Sequence, residues 1–354
     1  MKTRLSTLSM TRSGINHQFT KFSGGNMAKK RLRIALIGCG GNMRGAHIPR
    51  IQKDGSVDLT AVVDTSEEQA KALMGRWGKE VPFYTDYRKM IRAHDLDAIM
   101  ISSPHSMHYE QVKYALGQGL HVLVEKPLTI SSKHTRSLIR QADTKGKILL
   151  VSYQRNFMAP HLYARELIQQ GVIGDIRGVV SYVTQNWGGV KGWRLVPELS
   201  GGGMFLDTGS HLVASTLWIT GLEPLEVSAF LDNVDKDVDI NMVVNVRFKG
   251  GAHGTLNTFG NAKVHDERIA IHGSEGCIVF HLHQWAVKSV LVNDEPMQIP
   301  KRIQENTPDA AFFRMIRNGG KGYELPHFAL AVAQVSEAAY KSVEQGKPVK
   351  VARI

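Results

Sequence analysis

RIALIGCGGNM, Arg33 to Met43, decides how the rest of the chain is read. Arg33–Ile37 is apolar after its first residue, as expected for a strand covered on both faces. It runs into Gly38-Cys39-Gly40-Gly41, and a helical stretch follows to about Lys53. A strand that ends in glycines and opens a helix offers free backbone N–H groups at a helix N-terminus, the setting in which a dinucleotide pyrophosphate binds. The first glycine permits the tight turn, and the second lets the backbone come close to the phosphates. The chain departs from the full G-x-G-x-x-G pattern. Met43 stands at the third glycine position, and the next glycine is Gly45. That third glycine serves helix–strand packing, so looser packing rather than lost binding is expected. Gly38, Gly40, Gly41, Asn42 and Met43 are the candidate cofactor contacts of this loop.

Working outward, Leu59–Val63 reads as a second strand ending on Asp64. An acid there can accept both hydroxyls of a ribose and would repel a 2′-phosphate, so NAD is expected in preference to NADP. Ser66 and Asp86 suit helix N-caps, with Glu67 and Glu68 in the first turn after Ser66. A short strand near Phe83, a fourth over 97–102, a fifth over His121–Val124 and a sixth over 148–151 alternate with helices over 106–118 and 133–144. This alternation predicts an α/β domain over 31–152, a doubly wound parallel sheet of Rossmann type. Beyond Ser152 the pattern changes. A helix over 160–170, a strand near Val179, an apolar helix over 205–219 and a helix over 327–345 frame a run of strands from Leu225 to Val292. Hairpin signals at Lys249–Gly251 and Gly273–Gly276 join those strands. Residues 153–354 are therefore expected to form an α+β domain for substrate binding and assembly, around a large, mostly antiparallel sheet.

Composition narrows the function classes. The formal net charge is +12 and 42% of residues are hydrophobic, with no apolar run long enough to span a bilayer. No basic helix or aromatic–arginine strip accompanies the charge, so no nucleic-acid partner is expected. Only Cys39 and Cys277 occur, which excludes a disulfide framework and suits a reducing, cytoplasmic setting. Residues 1–30 are basic and rich in Ser and Thr, without the apolar core of a secretory signal. They read as a disordered tail, or as sequence upstream of a natural start at Met27. The pairs His105–His108 and His281–His283 have ligand-like spacing but no supporting acids or cysteines, so no metal is expected.

Two further stretches carry chemistry. HVLVEKP (121–127) is a buried strand that stops in two opposite charges and a proline, at the strand end where open α/β sheets bind ligands. GGGMFLDTGSH (201–211) leads a glycine run into a helix with Asp207 and His211 at i and i+4, on one face. Each has a plain structural explanation alone: a strand reaching the surface, or a core histidine bonded to an early-turn acid.

Taken together these markers resemble the Gfo/Idh/MocA family, the glucose–fructose oxidoreductase and inositol dehydrogenase group. GCGG, VVD, SSPHSMH, EKP, QRNF and GGG-x-x-x-D-x-G-x-H occur in that family's order from Arg33 to the last helix. The resemblance implies a catalytic Lys126, with Glu125 on the nicotinamide ribose and Pro127 shaping the bend. It implies Asp207 and His211 as the acid and the general acid/base. It places Ser103, Pro104 and His108 around the nicotinamide and Trp193-Arg194 against the cofactor. Tyr153 and Arg155 become substrate-pocket candidates, while Trp187 suits pocket lining or packing equally. The implied enzyme moves a hydride between NAD and a secondary hydroxyl of a sugar, sugar derivative or cyclitol. Lys126 would stabilise the developing oxyanion and a neutral imidazole would take the proton. Asp207 could orient His211 or accept a substrate hydroxyl. An NAD-retaining lyase or glycosidase, acting by transient oxidation and elimination, is the alternative. A catalytically silent NAD sensor is the rival from another class. The resemblance also implies a homo-oligomer, dimer or tetramer, assembling on the second sheet.

Overall fold

Arg33–Ile37 lies in the central strand of a parallel sheet. In the computed structural model, which describes residues 31–324 and 326–352, β1 (Leu32–Ile37) pairs with β2 (Val57–Val63) on one side and β4 (Ala98–Ile101) on the other. The expected tail at 1–30 lies outside the described residues. With β3 (Phe83–Tyr84), β5 (His121–Val124) and β6 (Leu149–Val151) the order is β3-β2-β1-β4-β5-β6, and every pairing is parallel. The order turns outward in both directions from β1 and β4, so the crevice at their carboxyl ends is the binding position of such a sheet.

The connecting helices start where the sequence marks them. Ser66 accepts a hydrogen bond from Gln69 N to begin α2 (Glu67–Trp77), and Asp86 accepts from Arg88 N and Lys89 N to begin α3 (Tyr87–Ala93). Ahead of α1 (Ile48–Asp54) the chain makes one π-helical turn, Met43–His47. α4 (His108–Gly117) and α5 (Ser132–Thr144) complete the layers.

The second sheet has nine strands in the order β14-β13-β12-β11-β7-β10-β9-β8-β15. These are β7 (Ile176–Asn186), β8 (Pro224–Asp232), β9 (Asn241–Phe248), β10 (His253–Phe259), β11 (Asn261–Gly273), β12 (Cys277–His283), β13 (Ala286–Val292), β14 (Glu295–Pro296) and β15 (Val349–Lys350). The hairpin signals form turns as expected, joining β9 to β10 and β11 to β12. One succession misleads: β10 and β11 are consecutive but do not pair, because β7 lies between them, parallel to β10. α6 (Ala159–Gln169), α8 (Met204–Thr220) and α10 (His327–Gln345) belong with this sheet. Met242, Val244, Val246 and Phe248 are buried in the core, on the inner face of this sheet.

From Arg31 onward the chain is one compact unit. Its closure owes much to α9 (Pro308–Arg317), a helix the sequence reading passed over. Although it comes after the second sheet's strands, α9 returns to the first sheet, where Phe312 and Phe313 are fully buried in the cluster holding Leu32, Ile34 and Leu36. Two such rings contribute about 1.5–3 kcal/mol each.

Candidate active site

A cleft of about 550 Å³ opens where the glycine loop and the ends of β4 and β5 face β7, the start of α8 and the tip of the β12–β13 hairpin. The glycine loop shapes one end. Gly38 has φ +88°, and a Cβ there would sit 2.5 Å from Ser102 O, so only glycine fits. Cβ atoms on Gly40 and Gly41 would meet nothing within 4 Å, leaving that backbone open to the cleft. Asn42 stands exposed beside it, with Nδ2 3.5 Å from Ser102 Oγ. Ser103 and Glu125 line the same end. Open backbone at a strand-to-helix turn, with hydroxyl and carboxylate groups nearby, fits an anionic dinucleotide with a ribose to anchor.

One loop candidate sits differently from expectation, and the strand-end acid has partners of its own. Met43 is fully buried, packed with Ile34 and Leu36 where a third glycine would let helix and strand approach, and it does not line the cleft. Asp64 accepts hydrogen bonds from Cys39 N (2.7 Å) and Ser66 N (2.9 Å), tying the loop to the start of α2. Each of its oxygens keeps a further lone pair for a ribose hydroxyl.

The β4 end brings Pro104 to the head of a short 3₁₀ turn, His105–Met107. His108 is buried behind it, with ring nitrogens 2.9 Å from Pro127 O and 3.0 Å from Ser103 O. Burial holds this ring neutral, so it donates to one carbonyl at a time. It braces the β4 end against the Lys126–Pro127 segment, whose peptide bond is cis, and does not line the pocket. His105 does line it. Its Nδ1 is 2.9 Å from Ser200 O and its ring meets Trp193 edge-on at 4.6 Å. Burial pushes its pKa down to about 3.

The glycine run 201–203 positions the opposite wall. Gly203 N and Phe205 N donate to the two oxygens of Asp239, at 2.6 and 2.7 Å, which caps α8 from outside the helix. A Cβ on Gly203 would fall 1.9 Å from Asp239 O, so the close approach demands glycine. Asp207 then projects from the first turn. Its carboxylate binds the Lys126 ammonium on one oxygen and accepts from Arg194 Nε at 2.6 Å on the other. Lys126 also donates to Asp207 O at 3.0 Å. Burial disfavours the charged form of Asp207, but these cations outweigh it and hold the carboxyl below the usual range.

His211, one turn further, lines the cleft with Lys126 and Asp207. Burial, and after it the charges of Lys126 and Arg155, keep it neutral. It is not bonded to Asp207, whose oxygens are committed elsewhere, and its Nδ1 is buried without a partner. Of the two roles left open for Asp207, fixing His211 by direct contact is therefore not the one realised.

Trp187 and Trp193 line the cleft, whereas Tyr153 and Arg155 do not. Tyr153 is buried behind His211, ring centroids 5.8 Å apart. Arg155 forms a buried bidentate pair with Glu267, with Nη2 2.6 Å from Oε2. Both support the wall. Arg155 does so under Trp285, its guanidinium 5.7 Å from that ring. Trp285 is the surface they support: it packs against His211 at 4.9 Å while 42% exposed at a hairpin tip with φ +74°. Sequence reasoning missed Trp285, for no turn signature marks Gln284-Trp285. It also missed Arg50, Gln154 and Gln185 on the cleft wall. Gln154 and His105 lie inside motifs already noted, QRNF and PHSMH.

With this geometry in place, comparison with known proteins is informative. Residues 32–153 match an oxidoreductase family, NAD-binding Rossmann fold, and residues 161–279 match the GFO/IDH/MocA C-terminal domain. The chain belongs to the Gfo/Idh/MocA oxidoreductases, whose N-terminal domain binds NAD. The chain is 30% identical to D-glucoside 3-dehydrogenase of Escherichia coli (strain K12), over 55% of this chain and 56% of that protein. The match thus spans little more than half of that relative. It is 27% identical to 1,5-anhydro-D-fructose reductase of Ensifer adhaerens, over 70% of this chain and 75% of the relative. The crystal structure of GenD2 from gentamicin A biosynthesis, in complex with NAD, superposes with a TM-score of 0.79 at 24% identity, covering 94% of this chain and 100% of that one. That likeness concerns the fold. Among the described residues no helix is long and apolar enough to cross a membrane.

Proposed function

We propose that this chain is an NAD(H)-dependent dehydrogenase or reductase acting on a secondary hydroxyl or ketone of a sugar, sugar derivative or cyclitol. The carrying observation is that Lys126, Asp207 and His211, 81 and 4 positions apart along the sequence, line one cleft that also contains the open glycine backbone. The relatives' names, a glucoside dehydrogenase and an anhydrofructose reductase, support a carbohydrate substrate.

The dinucleotide would be held by Gly38, Gly40, Gly41 and Asn42, with Asp64 on its far ribose and Ser103, Pro104, Glu125, Trp193 and Arg194 around its nicotinamide. Asp64 favours NAD over NADP. When bound, the nicotinamide takes up or returns a hydride. The protein's part is proton and charge management. His211, kept neutral by burial, accepts the hydroxyl proton during oxidation and returns it during reduction. The Lys126 ammonium donates to the same oxygen and stabilises its negative charge as it develops. Asp207, itself braced by Arg194, holds that ammonium in place. Trp285 and Trp187 provide apolar surface for the ring of the substrate, beside the proton acceptor.

Two free cysteines fit a cytoplasmic enzyme. A homo-oligomer, dimer or tetramer, would use the outer face of the second sheet, where Val180 and Phe230 are exposed. Light scattering on the purified protein reads that state directly. The activity is tested by incubating the protein with NAD and a panel of cyclic sugars and cyclitols while following NADH absorbance. Net NADH formation is expected, whereas product without net NADH would point to oxidation and elimination instead. Failure to bind either NAD or NADP would overturn the proposal.

A further inference from the structure

The cleft's cofactor end rests on a buried charge cluster that the proposed chemistry does not use. His47, the last residue of the π-helical turn after the glycine loop, has Nε2 2.9 Å from Glu125 Oε1 and Nδ1 2.6 Å from Asp309 Oδ1. The ring is 1% exposed and Asp309 is sealed at 0%. Arg50 Nη1 donates to the second oxygen of Asp309 at 3.3 Å. Ionised carboxylates can only accept, and a neutral imidazole has one N–H to give. Both short contacts at once therefore require an imidazolium. Its charge and that of the partly exposed Arg50 offset those of Glu125 and Asp309, so the ring and Asp309 can be buried with their charges matched. Burial alone would lower the pKa of His47, but the two carboxylates facing it raise it to about 10.

A purely structural reading would treat this as an anchor for α9. Glu125 speaks against that limit, because its carboxylate is held on the His47 side yet still lines the cleft. Burial works against an ionised Glu125, and the hydrogen bond from His47 is the first of the contacts that restore it. We infer that His47, backed by Asp309 and Arg50, is a positioning residue for the cofactor: it keeps Glu125 ionised and oriented so that its carboxylate accepts a hydrogen bond from a nicotinamide-side ribose hydroxyl. This rests on the role proposed above for Glu125. It makes α9, more than 180 residues beyond β5 and out of reach of the cleft, part of the cofactor site.

The test is a double-mutant cycle in NADH affinity, measured by calorimetric titration of full-length protein carrying Glu125→Gln, His47→Gln, or both. A glutamine at 47 keeps the bulk but cannot donate to two acceptors on opposite sides. Each single change is expected to raise Kd by about tenfold to a hundredfold, as for loss of a hydrogen bond to a charged group. The double variant should be little weaker than either single one, and for His47→Gln at saturating NAD the sugar KM should stay near wild type. Asp309→Asn, which preserves shape but removes the carboxylate charge facing the ring and Arg50, should shift NADH affinity the same way and stands in should His47→Gln not fold. If Glu125→Gln weakens binding while His47→Gln and Asp309→Asn do not, the inference falls and the cofactor assignment survives. Additive losses in the double variant would also overturn it, since His47 would then act by another route. If the wild type binds NADH and Glu125→Gln binds it equally well, the role of Glu125 falls and the inference with it.

Discussion

Two ionic clusters meet at Glu125-Lys126, and they are built in opposite ways. On one side Asp207 holds Lys126 and Arg194, two cations on one carboxylate, with the Arg194 side chain 40% exposed. On the other His47 bridges Glu125 and Asp309, with Arg50 as the second cation and the ring and Asp309 almost wholly sealed. The open cluster carries a surplus positive charge at the cleft surface, where a substrate oxygen can replace or share a partner. The second cluster has its cations matched to its carboxylates before anything binds, and reaches the cleft through Glu125 and Arg50. Adjacent residues on one strand end thus serve different ends. In the proposed function Lys126 responds to the substrate, while Glu125 is fixed before anything binds.

The contrast can be broken most severely at the proposed proton acceptor. His211→Asn should lower turnover by about 10²–10⁴-fold, the usual contribution of a general acid/base, with NADH affinity nearly unchanged. A loss confined to KM would mean that the neutral ring only shapes the pocket. Next in size, Gly203→Ala should destabilise the fold by about 3 kcal/mol, the upper end for overpacking, because its Cβ cannot fit against Asp239. A thermal midpoint equal to wild type would show that α8 tolerates a shift at its cap. Trp285→Ala should raise the sugar KM by roughly tenfold, in keeping with loss of one aromatic contact, and leave NADH affinity alone. An unchanged KM would remove the hairpin tip from the site.

A pH dependence sharpens the sealed side. His47 has its pKa raised from 6.5 to about 10 in the folded state. A group whose folded pKa lies above its unfolded value contributes its stability fully below pH 6.5 and loses it as pH rises towards about 10. Wild type should therefore lose thermal stability across that window more steeply than His47→Gln. Parallel pH profiles would indicate a neutral ring.

Much of the site was legible because its parts lie at the ends of regular elements. A strand stopping in Gly38, one stopping in Asp64 and one stopping in Glu125-Lys126 each carry a local signal, and the parallel sheet collects such ends along one edge. Asp207 and His211 were readable for the same reason, one helix turn apart. What escaped was decided by tertiary pairing. Asp309 meets His47 across 262 positions, on a helix of only ten residues whose Phe312-Phe313 pair looks the same in any core. The insertion of β7 between β10 and β11 is a long-range parallel pairing that no hairpin rule anticipates. The resemblance implies Tyr153 and Arg155 as substrate-pocket residues, but sequence does not tell which side of a wall a residue occupies. Met43 shows the converse: a side chain in a glycine's place reads as a binding-loop variant and proves to be core.

The most direct measurement is Lys126→Ala, assayed for turnover and for NADH affinity on the same preparation. Turnover should fall by about 10²–10³-fold, the scale for removing one donor to a developing oxyanion, while NADH binds nearly as well as to wild type. Undiminished turnover in that variant would contradict the account.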